Sequence, residues 1–396
     1  MAENVANGAN GKKVRLAVIG IGNMGGSHAA ALRDGKIARC ELAAVCDINP
    51  EKMKGFDGVP QYEKSEELIR AGVAEAVLLA TPHYAHTTIG IDALENGLHV
   101  LVEKPVSVHK ADAERLIAAY RKTSGRVFAA MFNQRTNPSF IKLRELIQSG
   151  ELGELRRVNW IITDWFRTQG YYASSDWRAT WKGEGGGVLM NQAQHNLDLL
   201  QWMCGMPKSV HAFCPIAKYH NIEVEDEVTA SLMFENGASG VFVTSTGEAP
   251  GINRLEVYGD KGKVIVEGNT KLTWWKTQGS IREYSDSAPT WYNSPEMEEE
   301  VIAADGIGGQ HHEILHNFTD AILDGADLIA PAEEGINAVE LTNAMQYSGH
   351  TGQTVKLPLD SAVYARKLQD LIANSTFVKE TIDVTREGYE KPPYLV

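Results

Sequence analysis

The sequence predicts a two-part α/β chain: a doubly wound parallel sheet over residues 13–136, then over residues 137–396 an α+β domain with one antiparallel sheet and helices on one face. Three observations lead there. From Lys13 to Phe132 short β-branched runs alternate with helical stretches, the pattern of parallel strands joined by crossover helices. From Asn137 onward, alternating strands follow one another through tetrads such as ENGA and GDKG, which read as hairpin loops. The length, 396 residues, is enough for two or three domains, each with its own core.

Bulk composition narrows the function classes. Hydrophobic content of 43% and charged content of 22% are ordinary for a soluble globular chain. A net charge of −13, with no basic stripe, argues against nucleic acid and anionic membrane as partners. Cys40, Cys46, Cys204 and Cys214 form no CxxC pair, so neither a zinc knuckle nor a redox dithiol is expected. Scattered cysteines of this kind suit a reducing compartment. The first dozen residues, MAENVANGANGK, lack the apolar core of a signal peptide and read as a loose tail over 1–12. No apolar run approaches the roughly 20 residues that span a bilayer. A cytoplasmic protein is expected.

The first strand, VRLAVIG, runs into GIGNMG and then the helix MGGSHAAALRDG. Gly20, Gly22 and Gly25 make GxGxxG around Asn23 and Met24. The first glycine permits a tight turn, the second lets a pyrophosphate approach the backbone, and the third lets helix and strand pack closely. The helix N-terminus favours the phosphate charge. Alone the motif is weak, and a plain glycine turn is its ordinary alternative. Here a strand precedes it, a helix follows, and Asp47 ends the next strand, ELAAVCD. That context predicts dinucleotide binding in a Rossmann domain. Asp47 suits a ribose 2′-hydroxyl and repels a 2′-phosphate; neither Ile48 nor Asn49 is basic, so NAD is favoured over NADP.

The strand AEAVLLAT places Thr81, Pro82 and His83 at its carboxyl end, the ligand edge of such sheets, and His86 opens the next helix. Ordinary helix-start histidines are the alternative for both. HVLVEKP follows, with Glu103, Lys104 and Pro105 at its end. Pro105 keeps Lys104 extended, so the lysine projects toward the nicotinamide side, where it can hold a substrate hydroxyl or move a proton. Glu103 is placed to tune that charge, and Thr81, Pro82, His86, Glu103 and Lys104 are the expected cofactor contacts along this edge. A surface lysine ending a strand is the common alternative. The helix KADAERLIAAYRKTSG and the strand RVFAAMF complete this half, and NQRTNP after it offers Arg135 to substrate oxygens.

The second half opens with the helix PSFIKLRELIQSG and the strand RRVNWIITDWF. The loop FRTQGYYASSDWRATWKGEGGG gathers Arg167, Tyr171, Tyr172, Asp176, Trp177, Arg178 and Trp181. Flat aromatic faces with forked polar groups suit polyhydroxylated rings, although loop anchoring needs the same residues. GEGGGVLMNQAQHNLDLLQW then reads as a long helix stacking Asn191, His195 and Asp198 on one face. A solvated polar face is the plain alternative. Strands follow in KSVHAFCPI, EVTASLMFENGASGVFVTST, NRLEVYGDKGKVIVEG and KLTWW; HEILHNFTDAILDG and GINAVELTNAMQYSG read as late helices packing back on the assembly.

GxGxxG, the ATP strand end, EKP and GGGVL…H..D, in this order, resemble the glucose-fructose oxidoreductase/inositol dehydrogenase/rhizopine-catabolism (Gfo/Idh/MocA) family from Lys13 to about Leu359. The resemblance implies a Rossmann domain followed by an α+β domain with a large, mostly antiparallel sheet, hydride exchange with sugars, cyclitols and their derivatives, and homodimers or homotetramers formed through that sheet. It carries the proton-exchanging histidine onto His195, beside Lys104. Many relatives have aspartate where this chain has Asn191. An amide orients a hydroxyl but takes no proton. The proton work then falls on Lys104 and His195, with Asn191 positioning substrate alongside Arg135, Tyr172, Trp177 and Arg178. Asp198 either orients the imidazole or pairs elsewhere.

Two rivals stay open at this point. One is an NAD-dependent glycosidase that oxidises a sugar hydroxyl, eliminates the aglycone, adds water and re-reduces. The other is a non-catalytic dinucleotide sensor, against which Lys104 and His195 speak. HEILH (His312 to His316) matches the zinc-protease helix HExxH, but no third-ligand signature follows, and no metal site is expected.

Overall fold

The protein is represented by a computed structural model that describes residues 11–382. The expected tail over 1–12 falls almost wholly outside the described residues.

Six parallel strands form the first sheet: β1 (Val14–Ile19), β2 (Cys40–Cys46), β3 (Gln61–Tyr62), β4 (Ala76–Leu79), β5 (His99–Val102) and β6 (Phe128–Ala130). Helices α1 (Asn23–Arg33), α2 (Ser65–Arg70), α3 (His83–Glu95) and α4 (Lys110–Arg121) connect them. The strand order is β3-β2-β1-β4-β5-β6. The chain therefore leaves β1 in one direction and returns through β4 in the other, which opens a crevice at their carboxyl ends. Burial on both faces explains the continuous apolar runs: Leu16, Val18, Val77 and Leu78 are all inaccessible to solvent. At the first turn, a Cβ on Gly25 would lie 1.8 Å from the Gly20 carbonyl oxygen, so only glycine lets α1 seat on the strand.

The remaining elements are α5 (Pro138–Gln148), β7 (Leu155–Ile162), α6 (Gln169–Ala173), α7 (Gln194–Cys204), β8 (Ser209–Phe213), β9 (Glu227–Met233), β10 (Ser239–Ser245), β11 (Asn253–Gly259), β12 (Gly262–Glu267), β13 (Lys271–Thr277) and α8 (Ile281–Ser287). Then come β14 (Met297–Ile302), α9 (Gln310–Asp324), α10 (Gly335–Thr351), β15 (Val355–Lys356) and α11 (Ser361–Ala373). Nine strands form the second sheet, in the order β14-β13-β12-β11-β7-β10-β9-β8-β15. Every neighbouring pair is antiparallel except β7–β10, so the sheet is mostly antiparallel, as expected. Val158, Trp160 and Ile162 of β7 face inward, and the Trp160 ring lies 5.8 Å from Phe140 of α5. The alternate residues of β7 face outward.

The late helices pack back on the first sheet. Arg39 at the start of β2 reaches Asp320 of α9 at 2.8 Å. Lys110 of α4 reaches Glu340 of α10 at 2.8 Å and the Leu359 carbonyl at 2.7 Å. Ala129 of β6 bridges Pro331, and Ala130 donates its N–H to the Ala330 oxygen at 2.9 Å. The outer edge of the first sheet is thus partly closed by residues some two hundred positions downstream.

The helix expected across residues 183–202 begins only at Gln194. The glycine run is packed too tightly to be helical: a Cβ on Gly187 would lie 1.8 Å from the Glu225 carbonyl oxygen. Residues 188–193 are hydrogen-bonded turns, so Asn191 does not share a helix face with His195 and Asp198. All four cysteines are free thiols. Among the described residues no helix is long and apolar enough to cross a membrane.

Candidate active site

The crevice of the first sheet carries the glycine loop. Gly22 caps α1 without any side-chain hydrogen bond, which leaves the positive end of the helix dipole to a ligand. A Cβ on Gly22 would meet nothing within 4 Å, so the backbone there is open to close approach. The Thr81 hydroxyl at the end of β4 is buried without a partner among the described residues, a group left for something that fills the crevice. Asp47 ends β2 and accepts the amide hydrogens of Ile21 at 2.8 Å and Asn49 at 2.9 Å. These residues fit a dinucleotide. One cation the spacing did not bring near is Lys52, whose Nζ stands 3.8 Å from Asp47.

His86 and Glu103, both expected to touch the cofactor, are engaged with the protein instead. His86 is 0% exposed, and its ring nitrogens face the carbonyl oxygens of Pro105 at 2.8 Å and Thr81 at 2.9 Å. It braces the ends of β4 and β5 from beneath. Glu103 accepts a hydrogen bond from His28 of α1 at 2.8 Å and one from the Lys104 amide at 3.2 Å. Burial alone would raise this carboxyl; the His28 hydrogen bond, with the neighbouring histidines and Lys104, holds it down at about 2. The His28 ring in turn lies 5.5 Å from His311 of α9.

Lys104 crosses to the second domain. Its Nζ donates to the Asn191 main-chain oxygen at 2.9 Å. Burial lowers the Lys104 pKa against the raising effect of Glu103 and Glu184. His195, in the first turn of α7, has a buried Nδ1 without a hydrogen-bond partner among the described residues. Burial holds its pKa well below 6.5, and Lys104 adds to the effect, so the imidazole is neutral at pH 7. Lys104, Asn191 and His195 are therefore gathered where the two domains meet.

Arg135, Tyr172 and Asp198 do not join them as expected. Arg135 is 1% exposed, and its guanidinium grips Asp198 at 2.8 and 2.6 Å and Glu334 at 2.5 Å. Its donors are consumed inside the protein, so it is not a free substrate ligand. Asp198 for the same reason does not orient His195; it takes the other alternative and pairs elsewhere. The Tyr172 hydroxyl is buried against Thr246 at 2.7 Å, with its ring 4.7 Å from His220. Its neighbour Tyr171 is the more accessible ring. Trp177 packs edge-on against His83 at 5.7 Å. The Arg178 guanidinium lies over the Tyr171 and Trp177 rings at 4.4 and 4.6 Å and donates to the Tyr171 hydroxyl at 2.6 Å.

The residue that sequence reasoning passed over is Glu184. It is 1% exposed and accepts hydrogen bonds from the Ala179 amide at 2.5 Å and from the Asn191 side chain. In HEILH, Glu313 accepts the Gly309 amide at 2.7 Å and caps α9. Among the described residues no three His, Cys, Asp or Glu side chains cluster to hold a metal.

Comparison with known proteins bears on the family and the fold. Residues 14–131 match the oxidoreductase family with an NAD-binding Rossmann fold, and residues 140–265 match the GFO/IDH/MocA C-terminal domain. Myo-inositol 2-dehydrogenase of Thermotoga maritima is 26% identical over 269 residues, covering 66% of this chain and 77% of that one. The uncharacterised oxidoreductase YrbE of Bacillus subtilis is 25% identical, covering 87% and 97%. The WlbA dehydrogenase from Bordetella pertussis, solved with NADH and UDP-GlcNAcA, superposes with a TM-score of 0.73 at 26% identity, covering 88% of this chain and 100% of that one. With both of its sheets, its glycine loop and both matches in register, the chain belongs to the Gfo/Idh/MocA family of NAD-binding oxidoreductases.

Proposed function

We propose that the protein oxidises a secondary hydroxyl of a sugar, cyclitol or glycoside and passes the hydride to NAD. The observation that carries this reading is the Lys104 ammonium fastened to the Asn191 carbonyl beside an imidazole kept neutral by burial. Gly20, Gly22, Asn23, Met24, Gly25, Asp47 and Thr81 are the residues to hold the dinucleotide, which supplies the hydride acceptor. His195 takes the proton from the substrate hydroxyl as the C–H bond breaks. Lys104 turns an N–H toward the same oxygen and stabilises its developing negative charge. Asn191 orients the hydroxyl, and Trp177 with Arg178 walls the ring. Relatives named for myo-inositol and a solved relative holding UDP-GlcNAcA support a polyhydroxylated ring as substrate.

Asp47 supports NAD over NADP, because its charge opposes a 2′-phosphate. A homodimer or homotetramer through the outer face of the second sheet completes the reading. Ile161, Val241 and Met233 stand 36–40% exposed on adjacent strands there. Absorbance of NADH, with NAD⁺ and a panel of inositols, hexoses and glycosides, tests the activity. His195→Ala and Lys104→Ala should each lower turnover by roughly 10²–10⁴ while NAD⁺ still binds. Full turnover in both variants refutes the assignment. Aglycone release that needs NAD⁺ but leaves no net NADH moves the reading to the redox-assisted glycosidase.

A further inference from the structure

A buried carboxylate lies at the polar centre of the site, and none of the roles above uses it. Glu184 Oε2 accepts the Ala179 amide at 2.5 Å; Oε1 accepts the Asn191 side-chain amide and stands 3.7 Å from Arg178 Nη1. Asn191 is tied through its main-chain oxygen to Lys104 at 2.9 Å. Glu184, Asn191 and Lys104 thus form one continuous run of contacts.

Two consequences follow from this geometry. An amide can face a carboxylate only with its NH₂, so Glu184 fixes which way Asn191 is flipped. The Asn191 Oδ1 then points away from Glu184, while the Nδ2 and the main-chain oxygen of the same residue are taken by Glu184 and Lys104. Oδ1 is left as an acceptor that reads a substrate O–H. The second consequence is electrostatic. Lys104 feels Glu103 on its own strand, Glu184, Arg178 and Arg167 from the segment after β7, and His83 and His86 from α3. His195 of α7 and His311 of α9 also face it. Glu103 is already committed to His28 at 2.8 Å. Glu184 is therefore the second negative group, after Glu103, that raises the Lys104 pKa, and the one that does so from across the cleft. Burial pushes its own carboxyl up, against Arg178, the Ala179 amide and the Asn191 side chain, which favour its charged form.

We infer that Glu184 is a positioning residue: it holds the Asn191 amide with its oxygen toward the substrate and, through the Asn191 link to Lys104, supplies a counter-charge to the Lys104 ammonium in addition to Glu103. The first half of this rests on the dehydrogenase reading. The second does not, because the charge state of Lys104 is measurable without any substrate.

The test uses the full-length protein and three variants: Glu184→Gln, Asn191→Asp, and the two combined. The double variant exchanges carboxylate and amide across the same hydrogen bond without changing either side-chain length. Competitive acetylation with acetic anhydride across a pH series, read at Lys104 by mass spectrometry, gives its titration midpoint. Removing the facing negative charge should lower that midpoint by about one pH unit or more in Glu184→Gln, and the double variant should restore it. In turnover, Glu184→Gln should raise KM, lower kcat and move the alkaline limb of the pH profile to lower pH, all recovered by the double variant. An unmoved Lys104 midpoint in folded Glu184→Gln overturns the inference. Should Glu184→Gln not fold, a double variant that folds decides alone: a wild-type midpoint supports the inference and a lowered one overturns it. A wild-type protein that oxidises no polyol defeats the dehydrogenase reading, while the Lys104 titration still decides the role of Glu184.

Discussion

Replacing Arg135 by leucine separates its two possible roles, substrate ligand and internal clamp. Leucine fills the space of the aliphatic stem but removes a guanidinium that makes bonds of 2.8 and 2.6 Å to Asp198 and 2.5 Å to Glu334. Asp198 is 1% exposed, so it is left as a buried carboxylate with no cation. Glu334, at the surface, resolvates and adds little. Removing one partner of a buried ion pair typically costs about 3–5 kcal/mol, most of it the penalty on the charge left behind. Removing both partners avoids that penalty. Arg135→Leu should therefore lose about 3–5 kcal/mol in urea denaturation followed by tryptophan fluorescence, and Arg135→Leu/Asp198→Leu should recover more than half. The KM of the folded single variant should stay at the wild-type value. A single variant within about 1 kcal/mol of wild type but with KM raised tenfold would show that the guanidinium binds substrate and that the clamp is incidental.

Asp47→Ala removes the charge that opposes a 2′-phosphate and leaves Lys52 beside the vacancy; the ratio of kcat/KM for NADP to that for NAD should rise at least tenfold. His83 and His195 are held well below 6.5 and His311 at about 4, in each case chiefly by burial, whereas the unfolded chain protonates them near 6.5. Unfolding then takes up protons, so this contribution to stability is complete above pH 6.5 and falls between 6.5 and 4; a urea midpoint that stays flat across that window contradicts it. Ile161→Asp on the outer sheet face should shift the sedimentation coefficient toward the monomer, and an unchanged oligomer would place the interface elsewhere.

The elements that proved legible carry long, uninterrupted signals. The strands of the first sheet are buried on both faces and read as apolar runs, and Gly20 and Gly25 of GxGxxG are demanded by backbone contacts that leave no room for a Cβ. Short or weakly buried elements escaped: β3 has two residues, β14 is almost wholly exposed, and α11 buries only Tyr364 and Leu368. At the site, Lys104 was legible because a proline follows a strand end. Arg135 and Tyr172 were misread because an exposed polar ligand and a buried, satisfied polar group have the same sequence signature. Only the partners distinguish them, and Asp198 and Thr246 lie 63 and 74 residues away. Glu184 escaped for the related reason that its role depends on Asn191 turning back toward it, which periodicity alone would have placed on a helix.

The bridge from Ala129 and Ala130 to Pro331 and Ala330 has a consequence for how the chain is made. Strand β6 leaves the ribosome about two hundred residues before the segment that meets its edge. At roughly 5–20 residues per second that interval is on the order of 10–40 s. Throughout it a nascent Rossmann half carries an unpaired strand edge, and Lys110 waits for Glu340 and the Leu359 carbonyl. Newly made chains are thus most open to mispairing with one another after the nucleotide-binding half has emerged and before the late helices arrive. A fragment cut at residue 136 would be held permanently in that state.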